Sequence, residues 1–304
     1  MSRGSEFGYV FGMLLCVMKK DWRRIAGVVV TLALAVITAL LWQAVFAAER
    51  GDLLTVSFLD VGQGDAIFIE APSGAQVLID GGPDGSALRA LAKIMPWHDR
   101  TIDVVVATHP DQDHIGGLID VFERYDIEFV LRPGVLHDTP IARAFIEAIK
   151  NEQSQEIFAR RGHIVHLGDG ARLEILFPDR DVSGVESNAG SVVARLEYGD
   201  TSFLFTGDAP HAIEKYLATL GGKALASDVL KVGHHGSKTS SDMLFLGFVS
   251  PQYGIISRGC GNRYGHPHKD VLDALARFDI EVLDTCEAGT VTFISDGSSL
   301  LISE

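Results

Sequence analysis

Thr108-His109-Pro110-Asp111-Gln112-Asp113-His114 packs two imidazoles and two carboxylates into consecutive loop-like sequence directly after Ile102–Ala107. That preceding run is mostly apolar and β-branched, which predicts a strand buried on both faces. A loop leaving such a strand is held by a rigid scaffold, and loops so placed commonly carry function. Alternate residues of an extended segment share a face, so His109, Asp111 and Asp113 can converge while His114 turns into the next element. Imidazole and carboxylate together suit Zn²⁺ or Mn²⁺. Singly, each has a plainer reading: Asp113, ahead of Ile115-Gly116-Gly117, suits a helix cap.

Two later stretches repeat the arrangement. In Phe205-Thr206-Gly207-Asp208-Ala209 a carboxylate leaves an apolar strand, where it can bridge two metals or cap the helix that begins near Pro210. In Lys231-Val232-Gly233-His234-His235-Gly236-Ser237 two histidines again follow an apolar run. Adjacent side chains of an extended chain point oppositely, so one histidine is expected to bind metal and the other to support it or touch substrate. Asp80, before Gly81-Gly82, reads either as an orienting partner for a ligand histidine or as a turn residue. No strand-borne Gly-x-Ser-x-Gly elbow appears, which argues against a serine nucleophile.

Outward from these loops, the pattern alternates strand and helix signals. Strands are predicted at Leu53–Leu59, Ala66–Glu70, Gln76–Ile79, Ile127–Leu131, Ile164–Leu167, Arg172–Phe177, Ser191–Glu197 and Ser202–Thr206. Further strands are predicted at Val229–Val232, Tyr253–Ser257, Glu281–Leu283, Thr290–Ile294 and Ser299–Ile302. Helical spacing covers Ser86–Met95, Ile115–Tyr125, Ile141–Arg161, Ala209–Leu220 and Lys269–Phe278. Strands in sequential meanders with interspersed helices favour an α/β fold of two packed sheets flanked by helices. One catalytic domain over 51–304 is the economical reading.

Ahead of it, residues 25–48 carry no charge and suffice to cross a bilayer core as a helix. Lys19, Lys20, Arg23 and Arg24 precede the run, so the positive-inside rule puts residues 1–24 in the cytoplasm and sends the rest outward. The same stretch, with small residues at Ala47 and Ala48, also fits a secretory signal. The two readings give a single-pass membrane protein with an extracytoplasmic domain, or a secreted one. Met18 opens a conventional n-region, so residues 1–17 read as an upstream extension, or Phe7–Val17 lies at the interface. Formal charge is −14; residues 1–50 hold six basic and three acidic side chains, leaving 20 and 37 beyond, a balance of −17. With no basic patch, that balance opposes non-specific attraction to polyanions. Cys16 precedes the span, while Cys260 and Cys286 are free to pair outside it.

The ordered set His-x-Asp-x-Asp-His, Thr-Gly-Asp and His-His-Gly-Ser resembles the metallo-β-lactamase superfamily. Asp60-Val61-Gly62-Gln63-Gly64-Asp65-Ala66, Leu78-Ile79-Asp80-Gly81-Gly82 and Ser257–Pro267 resemble its ComEC-like branch, the extracytoplasmic domain of the competence DNA-uptake protein. The resemblance covers about residues 53–303. It implies an αββα sandwich of two mixed sheets and two divalent ions, zinc or manganese. His109 and Asp111 would belong to one site, Asp113 and His114 to the second. Asp208 would bridge them, and His234 or His235 would complete the second. Asp111 and Asn188 stand where histidine is usual in the superfamily, and both departures are shared with the ComEC-like branch. Oxygen in place of nitrogen weakens the first site for Zn²⁺, favours Mn²⁺ and allows it to stand empty.

Metal-bound water would then be the nucleophile, with Asp113 beside it and His266 as a donor to the leaving group. Asn188, Ser191, Ser237, Asn262 and Tyr264 are the remaining candidates for substrate or supporting contacts. The alternative for the Asn262–His266 cluster is a polar turn before the Lys269 helix, and His268 reads as a helix start. Three functions follow: a phosphodiesterase or nuclease outside the membrane acting on single-stranded DNA or another phosphodiester, a hydrolase of a small or envelope-associated ester, or a non-catalytic metal-stabilised binding module. The acidic balance and single span stand against a dedicated DNA-uptake role, since ComEC proteins carry a polytopic channel and transport here would need a partner.

Overall fold

The computed structural model describes Trp22, residues 25–42 and residues 51–303. The chain divides into two units between Gly51 and Asp52. In the first, helix α1 (Ile25–Trp42) has 18 residues, mean hydropathy 2.5 and no buried side chains. By length and composition it can cross a bilayer core. The readings placed on residues 1–24 (Trp22 apart) and 43–48 lie outside the described residues.

The second unit is built on two mixed sheets. The first sheet holds β1 (Leu54–Phe58), β2 (Ile67–Glu70), β3 (Gln76–Ile79), β4 (Thr101–Val106), β5 (Asp126–Arg132), β6 (Gln155–Phe158), β14 (Val291–Ser295) and β15 (Leu300–Ser303), in the order β15-β14-β1-β2-β3-β4-β5-β6. The second holds β7 (Ile164–Gly168), β8 (Ala171–Phe177), β9 (Val193–Tyr198), β10 (Thr201–Phe205), β11 (Val229–Lys231), β12 (Tyr253–Ile256) and β13 (Glu281–Asp284), in the order β13-β12-β11-β10-β9-β8-β7. Strands β3 to β6 run parallel, as do β10 to β13, and the remaining pairings are antiparallel.

Period-two alternation assigns each strand residue to a layer. Ile67, Ile69, Val77, Ile79, Phe203 and Phe205 face the core between the sheets. Phe68 and Leu78 face the opposite way, against helices α2 (Ser86–Ile94), α3 (Gln112–Ile115), α4 (Leu118–Phe122) and α5 (Pro140–Glu152). Leu204 and Leu230 pack beneath α6 (His211–Gly221), α7 (Met243–Val249) and α8 (Lys269–Arg277). The result is the expected αββα sandwich. An aromatic seam ties the inner faces, with Phe58 tilted on Phe205 at 6.2 Å and edge-on to Phe293 at 6.1 Å, and Phe203 edge-on to Phe293 at 5.9 Å. Cys260 and Cys286 form a disulfide with Cα atoms 5.0 Å apart, joining the turn after β12 to helix α9 (Thr285–Ala288).

Three local expectations fail for identifiable reasons. The helix expected over Ile141–Arg161 stops at Glu152, because Gln153 turns left-handed (φ 63°) and Gln155–Phe158 pairs with β5 as an edge strand. The helix expected over Ile115–Tyr125 is split into α3 and α4 at Gly116-Gly117. A Cβ on those residues would lie 2.2 Å from the Pro83 carbonyl oxygen and 2.1 Å from that of Gly81, so only glycine permits the contact. Helix α7 was not expected: Met243–Val249 has no polar residue to reveal a helical period. Asp242 caps it by accepting the Leu244 N–H at 3.0 Å.

The inner aromatic seam predicts unequal costs of truncation. Phe203→Ala removes a fully buried ring and is expected to cost about 3–5 kcal/mol. Leu301→Ala, at a side chain 66% exposed, is expected to stay within about 0.5 kcal/mol. Guanidinium denaturation curves of the two variants check the contrast.

Candidate metal centre

The polar loops all gather at one edge, where β1, β3, β4, β10, β11 and β12 end. This is the edge that open α/β sheets characteristically use for ligands. The β1–β2 loop brings Asp65, β3 brings Asp80, β4 brings Thr108 to His114, β10 brings Asp208, and β11 brings His234 and His235. Asp65, Asp80, His109, His114, Asp208 and His235 are all buried.

Four imidazoles share one design. Each has Nδ1 held from behind by oxygen and Nε2 turned toward the Asp208 carboxylate. For His114, Nδ1 lies 2.7 Å from Asp80 Oδ2, and Nε2 lies 3.3 Å from Asp208 Oδ1. For His235, Nδ1 donates to the Ser257 carbonyl at 3.0 Å with Asp65 Oδ1 at 3.3 Å, and Nε2 lies 3.5 Å from Asp208 Oδ2. Nδ1 of His234 meets Thr239 Oγ1 at 2.9 Å, and its Nε2 also comes within 3.5 Å of Asp208 Oδ2. Nδ1 of His109 meets Thr108 Oγ1 at 3.0 Å, with Nε2 4.0 Å from Asp208 Oδ2 and 3.7 Å from Asp111 Oδ2. An oxygen behind Nδ1 fixes ring orientation and tautomer and makes Nε2 a better metal donor.

The inward-facing atoms are unfulfilled. Nε2 of His109, His114 and His235, Oδ1 of Asp65 and Oδ1 of Asp208 are buried without an aligned hydrogen-bond partner. Leaving one such group unpaired is costly, so five together fit a site built for cations. Ligand atoms of Asp65, His114, Asp208 and His235 lie within 4.8 Å of one another. Electrostatics agree. Burial opposes charge on His114 and His235, but the Asp208 carboxylate, with Asp80 at the former and Asp65 at the latter, outweighs it. His114 is lifted well above its ordinary range and His235 to about 9. Asp208 is pushed far down against its own burial by His235, His114 and His109. In His109 burial wins, reinforced by the neighbouring His114, and its pKa falls to about 3.

Sequence-predicted residues divide accordingly. Asp113 approaches His235 Nε2 at 3.4 Å. Asp111 is gripped by Ser187, whose hydroxyl donates at 2.6 Å, and by His137 Nδ1 at 3.3 Å. Thus Asp111, not Asp113, stands at the helix N-cap, and without a capping bond. Asn188 carries a buried Oδ1 lacking a partner, and Ser191 Oγ accepts the Asp208 N–H at 3.3 Å. His266 lies beside the histidine pair, its ring 5.8 Å from His234 and 6.4 Å from His235, and Tyr264 stacks on it at 5.6 Å. Burial and the two neighbouring imidazoles lower His266 to about 4.

Other expectations need correction. Asn262 is occupied within its own turn: its amide donates to the Gly259 and His266 carbonyls, and its Oδ1 accepts the His266 N–H. The turn reading therefore fits Asn262 better than substrate contact. Ser237 Oγ accepts from Thr239 N and Oγ1, which shapes the loop. The premise that His234 and His235 point apart fails, because both adopt left-handed backbone (φ 49° and 54°) rather than extended chain. The converging group contains His235 and not His234.

Sequence reasoning missed Asp65 and Lys231. Lys231 is fully buried, is ion-paired with Asp65, and has Nζ 3.9 Å from Asp208 Oδ1. Its signal was a lone cation inside the apolar run Val229–Val232, since a buried ammonium demands a carboxylate. Gly64 lets Asp65 reach its place: the Asp65 N–H donates to the Asp113 carbonyl at 3.2 Å, and a Cβ on Gly64 (φ 142°) would lie 2.1 Å from that oxygen.

The fold accords with known proteins. Residues 59–259 match the family described as the metallo-beta-lactamase superfamily, and the chain belongs to it. Two curated relatives are ComE operon protein 3 of Bacillus subtilis, 30% identical over 78% of this chain and 32% of its own length, and Recombination protein 2 of Haemophilus influenzae, 34% identical over 78% and 28%. Both are ComEC-type competence proteins, and the chain spans about a third of their length. Among solved structures, CmlA, a diiron β-hydroxylase from Streptomyces venezuelae, shares the fold with TM-score 0.52 at 15% identity, over 79% of this chain and 53% of its own.

Two substitutions check the centre. Asp80→Ala removes the support behind His114 and is expected to lower Mn²⁺ or Zn²⁺ affinity about 10–100-fold, measured by calorimetric titration. Gly64→Ala is expected to lower it too, by displacing the Asp65 and Asp113 loops against each other.

Proposed function

We propose that this chain is a metal-dependent phosphodiesterase or nuclease whose domain faces outward from the cytoplasmic membrane. What carries the reading is the set of buried, unpaired nitrogen and oxygen donors turned on Asp208. The competence-type relatives give the phosphodiester its priority over other esters, and α1, long and apolar enough to cross a bilayer, supports the membrane reading. Superfamily membership supports hydrolysis at the level of the class; the fold alone selects no substrate.

Two divalent ions fit the donors. His114, Asp113 and His235 would hold one, His109 and Asp111 the other, with Asp208 shared. Asp111 and Asn188 in place of nitrogen ligands favour manganese over zinc at the second of these. Divalent ions so bound acidify water and neutralise charge on a phosphoryl oxygen. The chain's residues do the rest. Asp80, Thr108, Thr239 and the Ser257 carbonyl keep the imidazoles aimed. Asp65 and Lys231 balance charge behind His235, and the Ser191 hydroxyl steadies the Asp208 backbone. Asp113 would orient the attacking water. His266, buried beside the histidine pair and kept uncharged there, would hydrogen-bond the leaving oxygen.

The full chain in detergent micelles, supplied with Mn²⁺ or Zn²⁺, is expected to cleave single-stranded DNA and bis(p-nitrophenyl) phosphate. Asp208→Ala is expected to abolish both activities. Cleavage of simple carboxylic esters alone would favour the envelope-ester reading, and metal binding with no turnover would favour a binding module. Protease added to intact cells is expected to digest the domain while sparing a cytoplasmic marker; protection of the domain would contradict the outward orientation.

A further inference from the structure

The donors supply the two ion positions unevenly. Asp65, His114, Asp208 and His235 draw together, with ligand atoms within 4.8 Å of one another. On the other side stand His109, whose Nε2 is buried and unfulfilled, and Asp111, whose Oδ2 lies 3.7 Å from it. Leaving out the shared Asp208, that makes two ligands where an open metal site commonly keeps three. A third donor has to come from an element that borders both residues.

The loop between β5 and α5 is that element. His137 Nδ1 lies 3.3 Å from Asp111 Oδ1, so the Asp111 carboxylate stands between two imidazoles with one oxygen toward each. His137 also lines a cavity of about 470 Å³ together with His109, and one of about 640 Å³ together with Asp111 and Asp113. The loop backbone is fixed at three points. The Pro133 carbonyl accepts from Arg160 Nη1 at 2.8 Å, the Leu136 N–H donates to the Ser183 carbonyl at 3.2 Å, and Thr139 caps α5 by accepting the Ala142 N–H at 3.2 Å. Gly190 seats the loop against the Asn188–Gly190 turn, since a Cβ there would lie 2.3 Å from Val135 Cγ2. The backbone is thus held near Asp111, while the His137 side chain, 38% exposed, keeps a choice of rotamers.

We propose that His137 is a metal ligand, joining His109 and Asp111 at the second ion position. This rests on the two-ion reading of the centre and adds a donor to it. A second imidazole changes which ion the position accepts. With one nitrogen among oxygens, harder ions such as Mn²⁺ are favoured; with two, Zn²⁺ competes. An imidazole that only steadied Asp111 from behind would help either ion alike. Selectivity between the two metals therefore separates a ligand from a supporting contact.

The test is made on binding, so it does not depend on turnover. The full chain in detergent micelles is stripped with a chelator and titrated calorimetrically with Zn²⁺ and, separately, with Mn²⁺. The unaltered chain is compared with His137→Ala and His137→Asp, and thermal melting verifies that both variants are folded. The unaltered chain is expected to take two ions. His137→Ala is expected to leave the first unchanged and to weaken the second about 100-fold for Zn²⁺, with a clearly smaller loss for Mn²⁺. His137→Asp, which offers oxygen in place of nitrogen, is expected to restore Mn²⁺ binding and not Zn²⁺ binding. Equal losses for the two metals in His137→Ala, or no loss, overturn the ligand assignment and leave the two-ion reading standing. An unaltered chain that takes only one ion of either metal overturns both.

Discussion

The Asp208 carboxylate is the point on which this edge of the molecule turns. Nε2 atoms of His114, His234 and His235 come within 3.3 to 3.5 Å of it, and that of His109 within 4.0 Å. Imidazoles crowded around one buried carboxylate must either take up protons, as His114 and His235 do beside Asp208, or share cations. Burial penalises protons on all of them, as the depressed pKa of His109 shows. Divalent ions, if bound, would relieve this by replacing several protons with fewer charges.

The scaffold exists to hold that convergence at the edge of two sheets. Parallel runs in each sheet bring strand ends to the same side, and the ends of β3, β4, β10, β11 and β12 supply residues of the centre. The inner aromatic core fixes the sheets against one another, while the outer helices seal their far faces. Behind the imidazoles sits a second layer of oxygens, from Asp80, Thr108, Thr239 and Ser257, which turns each ring the same way. Lys231 completes it by balancing Asp65 in the interior.

The layers of the fold were legible in the sequence because period-two strands and period-three-and-a-half helices write burial directly into residue order. His109–His114, Asp208 and the His234-His235 pair were legible because polar residues interrupt apolar strands at their ends. Asp65 and Lys231 were visible as residues and not as partners, since their pairing joins the β1–β2 loop to β11 across the chain. The orientation of His234 and His235 was hidden for a different reason: side-chain direction follows backbone torsion, and nothing local announces two successive left-handed residues. The break at Gly116-Gly117 likewise depends on a backbone contact with residues 81–84. Asn262 looked available until the fold showed its amide closed within its own turn.

The chemistry of the centre therefore depends on which nitrogen of each histidine faces inward. Anomalous diffraction at the manganese edge, from crystals of the full chain grown with Mn²⁺, reads this directly. The account predicts strong peaks bonded to Nε2 of His114 and His235 and to the Asp208 carboxylate. Peaks bonded through Nδ1, or an absence of any peak at Asp208, would contradict it.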